Sequence, residues 1–362
     1  MTAGVALARG GVRESFHRIH AAVRGSEGLA RAGGDAGTVE SPGAVFPGFG
    51  SATGRGADRV SLGDPTRVTF LRSCAKPLQA LPLLDDGVAG RYGFSDAELA
   101  VCCASHSGEP EHLERVGTIL SRIGSGVREL ECGVRPPLRT AAAEEILRRG
   151  EEYGPLHNNC SGKHAGMLAL ARHRGWEVAG YSEADHPVQR RMAAEMARWS
   201  GVDEDETETA TDGCGVVTFA FSLEETARIF ARVARAAARG ESAPARIVRA
   251  MTEHPFLVGG TARMDTDLME VAGDRLFVKS GAEGMVCAGL PSRGLGIALK
   301  VEDGGDRAAG PAFLALLREL DVLDDEELDS LLPRSRTVIT DARDRAVGRL
   351  IVEGIGSRTR GR

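Results

Sequence analysis

Phe70-Leu71-Arg72-Ser73-Cys74-Ala75-Lys76-Pro77-Leu78-Gln79 is the stretch on which the reading of the whole chain turns. If a helix begins near Ser73, the three-residue spacing to Lys76 sets a hydroxyl and an amine on one face, one turn apart. Cys74, Leu78 and Leu81 then form a buried stripe, and Ala80 keeps the Ser73/Lys76 face open. Pro77 fits the first turn, where few backbone N–H groups have helical partners, and Pro82 bends or ends the helix. A serine hydroxyl becomes a nucleophile only when a neighbour takes its proton, and a lysine does so only when neutral. Free lysine titrates near ~10.4, so Lys76 would need burial, a second cation or the positive helix end to lower that value. Ser-x-x-Lys is a common pattern, and an exposed lysine beside an N-capping serine is the bland alternative. The flanking sequence has to decide.

On the N-terminal side, Val5-Ala6-Leu7 and Val12 to Val23 alternate in part and read as a hairpin with one face on a core. Between Gly25 and Gly56 the chain is glycine-rich and aperiodic, which reads as a surface loop or insertion. Strand character returns at Val60–Leu62 and Val68–Phe70, around the turn Gly63-Asp64-Pro65. On the C-terminal side the chain turns helical. Ser95-Asp96-Ala97-Glu98 is a capped helix start, and further helices are expected from Glu111, Thr140, Ser161, His186, Ser222 and Ala245. Strands follow at Arg275–Val278, Met285–Ala288 and Leu295–Leu299, then a helix from Ala308 to Leu320 and a hairpin of Thr337–Ile339 with Val347–Val352. Strands at both ends and helices between them predict an α/β (α+β) protein, with an antiparallel sheet built from both chain ends and a largely helical middle. Residues 1–355 are expected to form one catalytic domain, and 356–362 a disordered basic tail.

With 362 residues and 42% hydrophobic composition the chain can bury a substantial core. A net charge of −6 and a pI of about 5.9 argue against a nucleic-acid partner. No apolar run approaches the ~20 residues that span a bilayer, and the N-terminus lacks a signal-peptide pattern, so a cytoplasmic setting is expected. The seven widely spaced cysteines read as reduced thiols. No dinucleotide or phosphate loop is present, so no nucleotide or organic cofactor is expected.

Three polar islands stand out. Ala104-Ser105-His106-Ser107-Gly108-Glu109 follows a helix end, where a C-cap and turn would account for it. Lys279-Ser280-Gly281-Ala282-Glu283-Gly284 follows a strand, and glycine there permits close approach of a ligand. The third joins His157-Asn158-Asn159-Cys160-Ser161-Gly162-Lys163-His164 to Asp212-Gly213-Cys214-Gly215. Two thiols, a lysine and a histidine could hold a borderline-soft cation such as Zn²⁺, although structural cysteines are the plainer reading. Ser-x-x-Lys, a second serine and a late Lys-Ser-Gly follow the order of elements in the penicillin-recognising serine hydrolases, although Ser-His-Ser stands where Ser-Asp-Asn is usual.

Taken together with Arg9-Gly10-Gly11-Val12-Arg13-Glu14-Ser15, His186-Pro187-Val188-Gln189 and Gly281-Ala282-Glu283-Gly284, these motifs resemble the rhizobial-type (class 3) L-asparaginases over nearly the whole chain. The resemblance implies a serine β-lactamase/penicillin-binding-protein-like fold, hydrolysis of asparagine to aspartate and ammonia, and a homodimer. It implies two Ser/Lys pairs, Ser73/Lys76 and Ser105/Lys279, and one zinc per chain on Cys160, Lys163 and Cys214. Ser73 would attack the carboxamide carbon with Lys76 as base, and Ser105/Lys279 would relay a proton to the leaving ammonia. The backbone N–H groups of Ser73 and Ala282 would hold the oxyanion, and Arg72 and Asp212 would bind the α-carboxylate and α-ammonium. The sequence departs from the family pattern in the Gly25–Gly56 insertion and in Val217, where proline is usual. A β-lactam- or peptide-directed serine hydrolase, a metal-dependent amidohydrolase using Cys160 and Cys214, and a non-catalytic amino-acid-binding regulator are the rival readings.

Overall fold

The structure is a computed structural model of the chain and describes residues 3–9, 12–26, 59–332 and 337–355. The 356–362 tail and the glycine-rich stretch beyond Ser26 lie outside the described residues.

The N-terminal hairpin forms as its alternation predicts, from β1 (Gly4–Arg9) and β2 (Val12–Gly25). The second half of β2 leaves β1 behind and pairs with β3 (Arg59–Leu62) on one side. Three further strands, β4 (Val68–Phe70), β5 (Thr209–Thr211) and β6 (Val217–Ser222), build a separate three-stranded sheet in the order β4-β6-β5. The late strands β7 (Phe277–Gly281), β8 (Met285–Leu290) and β9 (Leu295–Val301) return to β2, and the terminal hairpin β10 (Val338–Thr340) and β11 (Ala346–Glu353) joins β1. The main sheet therefore runs β10-β11-β1-β2-β9-β8-β7, antiparallel at every pairing, with β3 added on β2. Both chain ends contribute to it, as expected.

The helix Leu223–Ala238 covers one face across β2, β8 and β9. It starts at a reciprocal capping box between Ser222 and Glu225, an arrangement worth about 1 kcal/mol. Gly296 lets helix and strand meet at backbone distance, because a Cβ there would fall 1.9 Å from the Ala227 carbonyl oxygen. Phe230 stacks on Phe277 with ring centroids 5.8 Å apart. The helix Asp306–Glu319 packs against β1, β9 and β11. In the helical middle, Asp96–Cys102, started by the Ser95/Glu98 capping box, packs against both Ser161–Arg174 and Ser242–Glu253.

Two features go beyond the sequence reading. The small sheet was not expected, because Val217-Thr218-Phe219-Ala220-Phe221 is an almost unbroken buried run with no alternation to mark a strand. The expected helix at Ser73 is a 3₁₀ turn, Arg72–Ala75, and α-helix begins only at Lys76 and runs to Ala80. Cys74, Leu78 and Leu81 are buried, but so are Lys76, Pro77, Gln79 and Ala80, so the segment is enclosed on all sides instead of presenting one buried stripe and an open face.

Candidate active site

The small sheet sets the entry to the Ser73 turn. The Leu71 N–H donates to the Phe219 carbonyl at 2.9 Å, which fixes the end of β4. Arg72 then takes a left-handed conformation, φ +50°, and swings the chain into the 3₁₀ turn. Such a φ costs a non-glycine residue about 1 kcal/mol or more and persists where the surroundings impose it. Here Asp212, on the loop joining β5 to β6, accepts from Arg72 Nε at 2.6 Å. The same loop carries Cys214, so the strands missed in the sequence are what bring Arg72-Ser73 and Asp212-Gly213-Cys214 together.

Lys76 is almost fully buried, at 1% exposure. Its Nζ donates to the Ala104 carbonyl at 2.6 Å and to Ser105 Oγ at 2.9 Å, and reaches Cys160 Sγ at 3.3 Å. Burial pulls its proton affinity below the ordinary lysine value; the Cys160 sulfur opposes this, and Lys163 and Lys279 reinforce it. Ser73 is half-buried, and its hydroxyl makes no hydrogen bond to another described residue. The expected Ser105/Lys279 contact is replaced by a Ser105/Lys76 hydrogen bond. Lys76 opens the helical segment that follows the 3₁₀ turn, and its side chain extends to the 104–109 stretch.

That stretch is held in place from both sides. The Ser105 N–H donates to Val258 O and the His106 N–H to Asn159 O. The His106 ring accepts from the Gly108 N–H at Nδ1, so Nε2 carries the proton it donates to Ser161 Oγ at 2.8 Å. Burial keeps that ring neutral.

Lys279 lies on β7 opposite Cys287 and is completely buried. Its Nζ donates to Asp265 Oδ2 at 2.8 Å and to the Ser280 carbonyl at 2.7 Å. Gly281 presses against the Ser73 turn, where a Cβ would come within 3.1 Å of Cys74 Sγ. Ala282 opens the exposed turn that follows.

Cys160 precedes the helix Ser161–Arg174, and its N–H donates to Asn158 Oδ1. Gly162 allows that helix to touch the carbonyl of Val101. Lys163 Nζ donates to Cys214 Sγ at 3.0 Å. The Cys160 thiol is held well below its usual range, chiefly by a hydrogen bond from Cys214 and then by Lys76 and Lys163, against the effect of burial. Cys214 is pushed up by the same hydrogen bond and by burial. Burial disfavours a charged Lys163, but Cys214 and Cys160 outweigh it and hold the ammonium. His164 accepts at Nδ1 from Tyr181, whose hydroxyl in turn accepts from the Glu131 N–H; its buried Nε2 has no protein partner. Burial lowers its pKa to about 4.

Asp265 is the residue the sequence does not mark, since an acid in the first turn of the helix Met264–Ala272 is ordinary. One signal was available. Only four of the 45 lysines and arginines are lysines, and Lys76, Lys163, Lys279 and Lys300 are all buried. Arginine does every exposed cation's work among the described residues, so lysine marks the places where an amine is specifically required. A cavity of about 720 Å³ adjoins β7 and is lined by Ser107, Thr261, Arg263, Ser280 and Gly281, but not by Ser73, Lys76 or Ser105. All seven cysteines are buried free thiols. No helix among the described residues is long and apolar enough to cross a membrane.

Among solved structures, the chain is similar to one titled as the crystal structure of Mglu, at 16% identity and a TM-score of 0.33, covering 84% of this chain and 67% of that one. It is also similar to a β-lactamase from Mycobacterium bovis, at 16% identity and a TM-score of 0.31, covering 83% and 94%. No curated protein matches it. The family model of L-asparaginase II matches residues 51–352, which include Arg72, Ser73, Lys76, Ser105, Cys160, Lys163, Asp212, Cys214 and Lys279. The chain belongs to the L-asparaginase II family and is an amidohydrolase.

Proposed function

We propose that the protein hydrolyses the side-chain amide of L-asparagine through a seryl acyl-enzyme, with Ser73 as nucleophile and Lys76 as base. The observation that carries this reading is the setting of Lys76: buried, bonded to a carbonyl and a hydroxyl, and with no carboxylate to hold its proton. A neutral amine there accepts the Ser73 proton as Oγ bonds to the carboxamide carbon. The Ser73 and Ala282 N–H groups stabilise the oxyanion. Collapse breaks the C–N bond, and Ser105, hydrogen-bonded to Lys76, passes the proton to departing ammonia. Water then attacks the β-aspartyl ester by the same route in reverse, releasing aspartate and freeing Ser73. Lys279 completes the cationic wall of the site. Arg72 and Asp212 pair with each other at the rim, and a zwitterionic amino acid offers both of them opposite charges. Lys163 and then Arg72 hold Asp212 ionised, against the effect of burial.

Cys160, Cys214 and Lys163 supply two sulfurs and a nitrogen, a donor set that suits Zn²⁺ once Lys163 has lost its proton. No three His, Cys, Asp or Glu side chains converge among the described residues, so the amine is an essential member. The orphaned Nε2 of His164 adds a polar atom beside Cys214. A metal there would supply a positive charge that organises substrate beside Asp212. This reading carries with it a homodimer and a cytoplasmic setting. The decisive experiment is ammonia release across a panel of amides by the native protein and Ser73→Ala: release from asparagine that disappears in the variant is expected, and a variant with native turnover would refute the serine mechanism.

A further inference from the structure

Asp265 is tied to β7 by every donor in reach. One carboxylate oxygen accepts the Ser280 N–H at 2.8 Å, and the other accepts Lys279 Nζ at 2.8 Å and Ser280 Oγ at 2.9 Å. Both members of the Lys279/Asp265 ion pair are completely buried. The groups that face Lys279 come from four elements: Lys76 from the Ser73 segment, Cys103 at the end of Asp96–Cys102, Cys287 on β8, and Asp265 with the more distant Arg263. Burial pushes Cys103 up to about 12 and raises Cys287, so both remain uncharged thiols. Burial alone would also raise the Asp265 carboxyl, but Lys279 outweighs it and holds the group ionised. Asp265 is therefore the one anion facing Lys279 among the described residues, and Lys76 stands nearby as a competing cation.

We infer that Asp265 is a positioning residue, which holds Lys279 in one rotamer through their buried ion pair and fixes the Lys-Ser-Gly edge beside the Ser73 turn. Lys279 then acts as a fixed cation of the active site, while proton traffic runs through Lys76 and Ser105. The inference rests on the serine mechanism proposed above. A buried amine keeps its charge only where an anion compensates the loss of water, and without Asp265 nothing in this pocket does so.

With only four lysines in the chain, lysine labelled with ¹³C and ¹⁵N gives four side-chain signals in the full-length protein, assignable by lysine substitutions. The Lys279 signal of the native enzyme serves as the reference. In Asp265→Asn, which keeps the shape and the acceptor for the Ser280 N–H, the signal should titrate at least about one unit lower. The kcat profile of that variant should gain a falling alkaline limb at the same pH, and Asp265→Glu should remove the limb. Asp265→Asn in a Lys279→Met background, where both charges are gone and folding is protected, should add nothing to the loss of about 100-fold from Lys279→Met alone. A uniform fall in kcat with no Lys279 titration, or an additive loss in the double variant, overturns the proposal. Turnover by Ser73→Ala would instead overturn the mechanism beneath it, an outcome read from a different variant.

Discussion

Lys76 and Lys279 are neighbours, both essentially without solvent contact, yet their surroundings differ in kind. Lys279 faces a carboxylate at 2.8 Å; Lys76 faces a carbonyl, a hydroxyl and a sulfur. Burial weakens the hold on a proton in both places; at Lys279 a carboxylate at 2.8 Å repays the lost hydration, whereas at Lys76 the Cys160 sulfur at 3.3 Å only partly opposes it. The same side chain thus sits in two electrostatically different settings, and the partner decides which.

The sharpest way to break this contrast is to replace each lysine with arginine, which keeps the charge and cannot be a base. Lys76→Arg should lose kcat by about 10⁴-fold or more, as should Ser73→Ala, and combining the two should cost little extra because they act as a unit. Lys279→Arg should retain measurable turnover despite its tighter fit. Equal losses from the two arginine variants, in initial-rate assays of ammonia release, would erase the distinction.

Stability should separate the sites next. Asp265→Ala strands a buried ammonium and should cost about 3–5 kcal/mol in urea unfolding. Lys76→Met removes a buried amine that has no carboxylate partner, and should be neutral or stabilising. A large destabilisation there would mean that the Ala104, Ser105 and Cys160 contacts hold the fold.

The pH response follows from the lowered proton affinity of Lys76. Turnover should climb as pH rises through its folded value and then level off. Between that value and the ordinary one near ~10.4, the unfolded chain binds more protons than the native one, so this lysine makes stability rise with pH across the window. The associated penalty is fully present below it. Lys76→Met should flatten that part of the stability profile, and an unchanged slope would assign it to another group.

The smallest expected effect concerns the thiol cluster. The purified protein should carry about one Zn²⁺ per chain, Cys160→Ser or Cys214→Ser should each release it, and occupancy should fall with pH because Lys163 must shed its proton. Metal-free enzyme should show mainly a raised KM. Elemental analysis that finds no metal in protein purified without chelators would remove the zinc from the scheme.

What was legible in the sequence was what local patterns determine. Ser95 and Ser222 announce their helices through reciprocal caps, and the alternation of residues 12–23 gives a strand because period two needs no tertiary knowledge. Ser73 and Lys76 could be singled out because three-residue spacing is itself a geometric statement, whereas Arg72 follows only from the charge an amino-acid substrate carries. The actual contacts could not. Lys76 meets Ser105 only once the helical segment is folded against the 104–109 stretch, and Asp265 meets Lys279 only once a helix start is folded against a sheet edge. The β5–β6 loop, which joins Asp212 to Arg72, hangs on strands whose apolar run carries no periodic mark.

The burial of all four lysines also fixes how the protein meets amine-directed reagents. Active esters, cyanate and glutaraldehyde find every ε-amine among the described residues buried. Modification of a lysine would then report the opening of the interior around Ser73, Cys214 or β9, and its rate would serve as a clock for native-state opening.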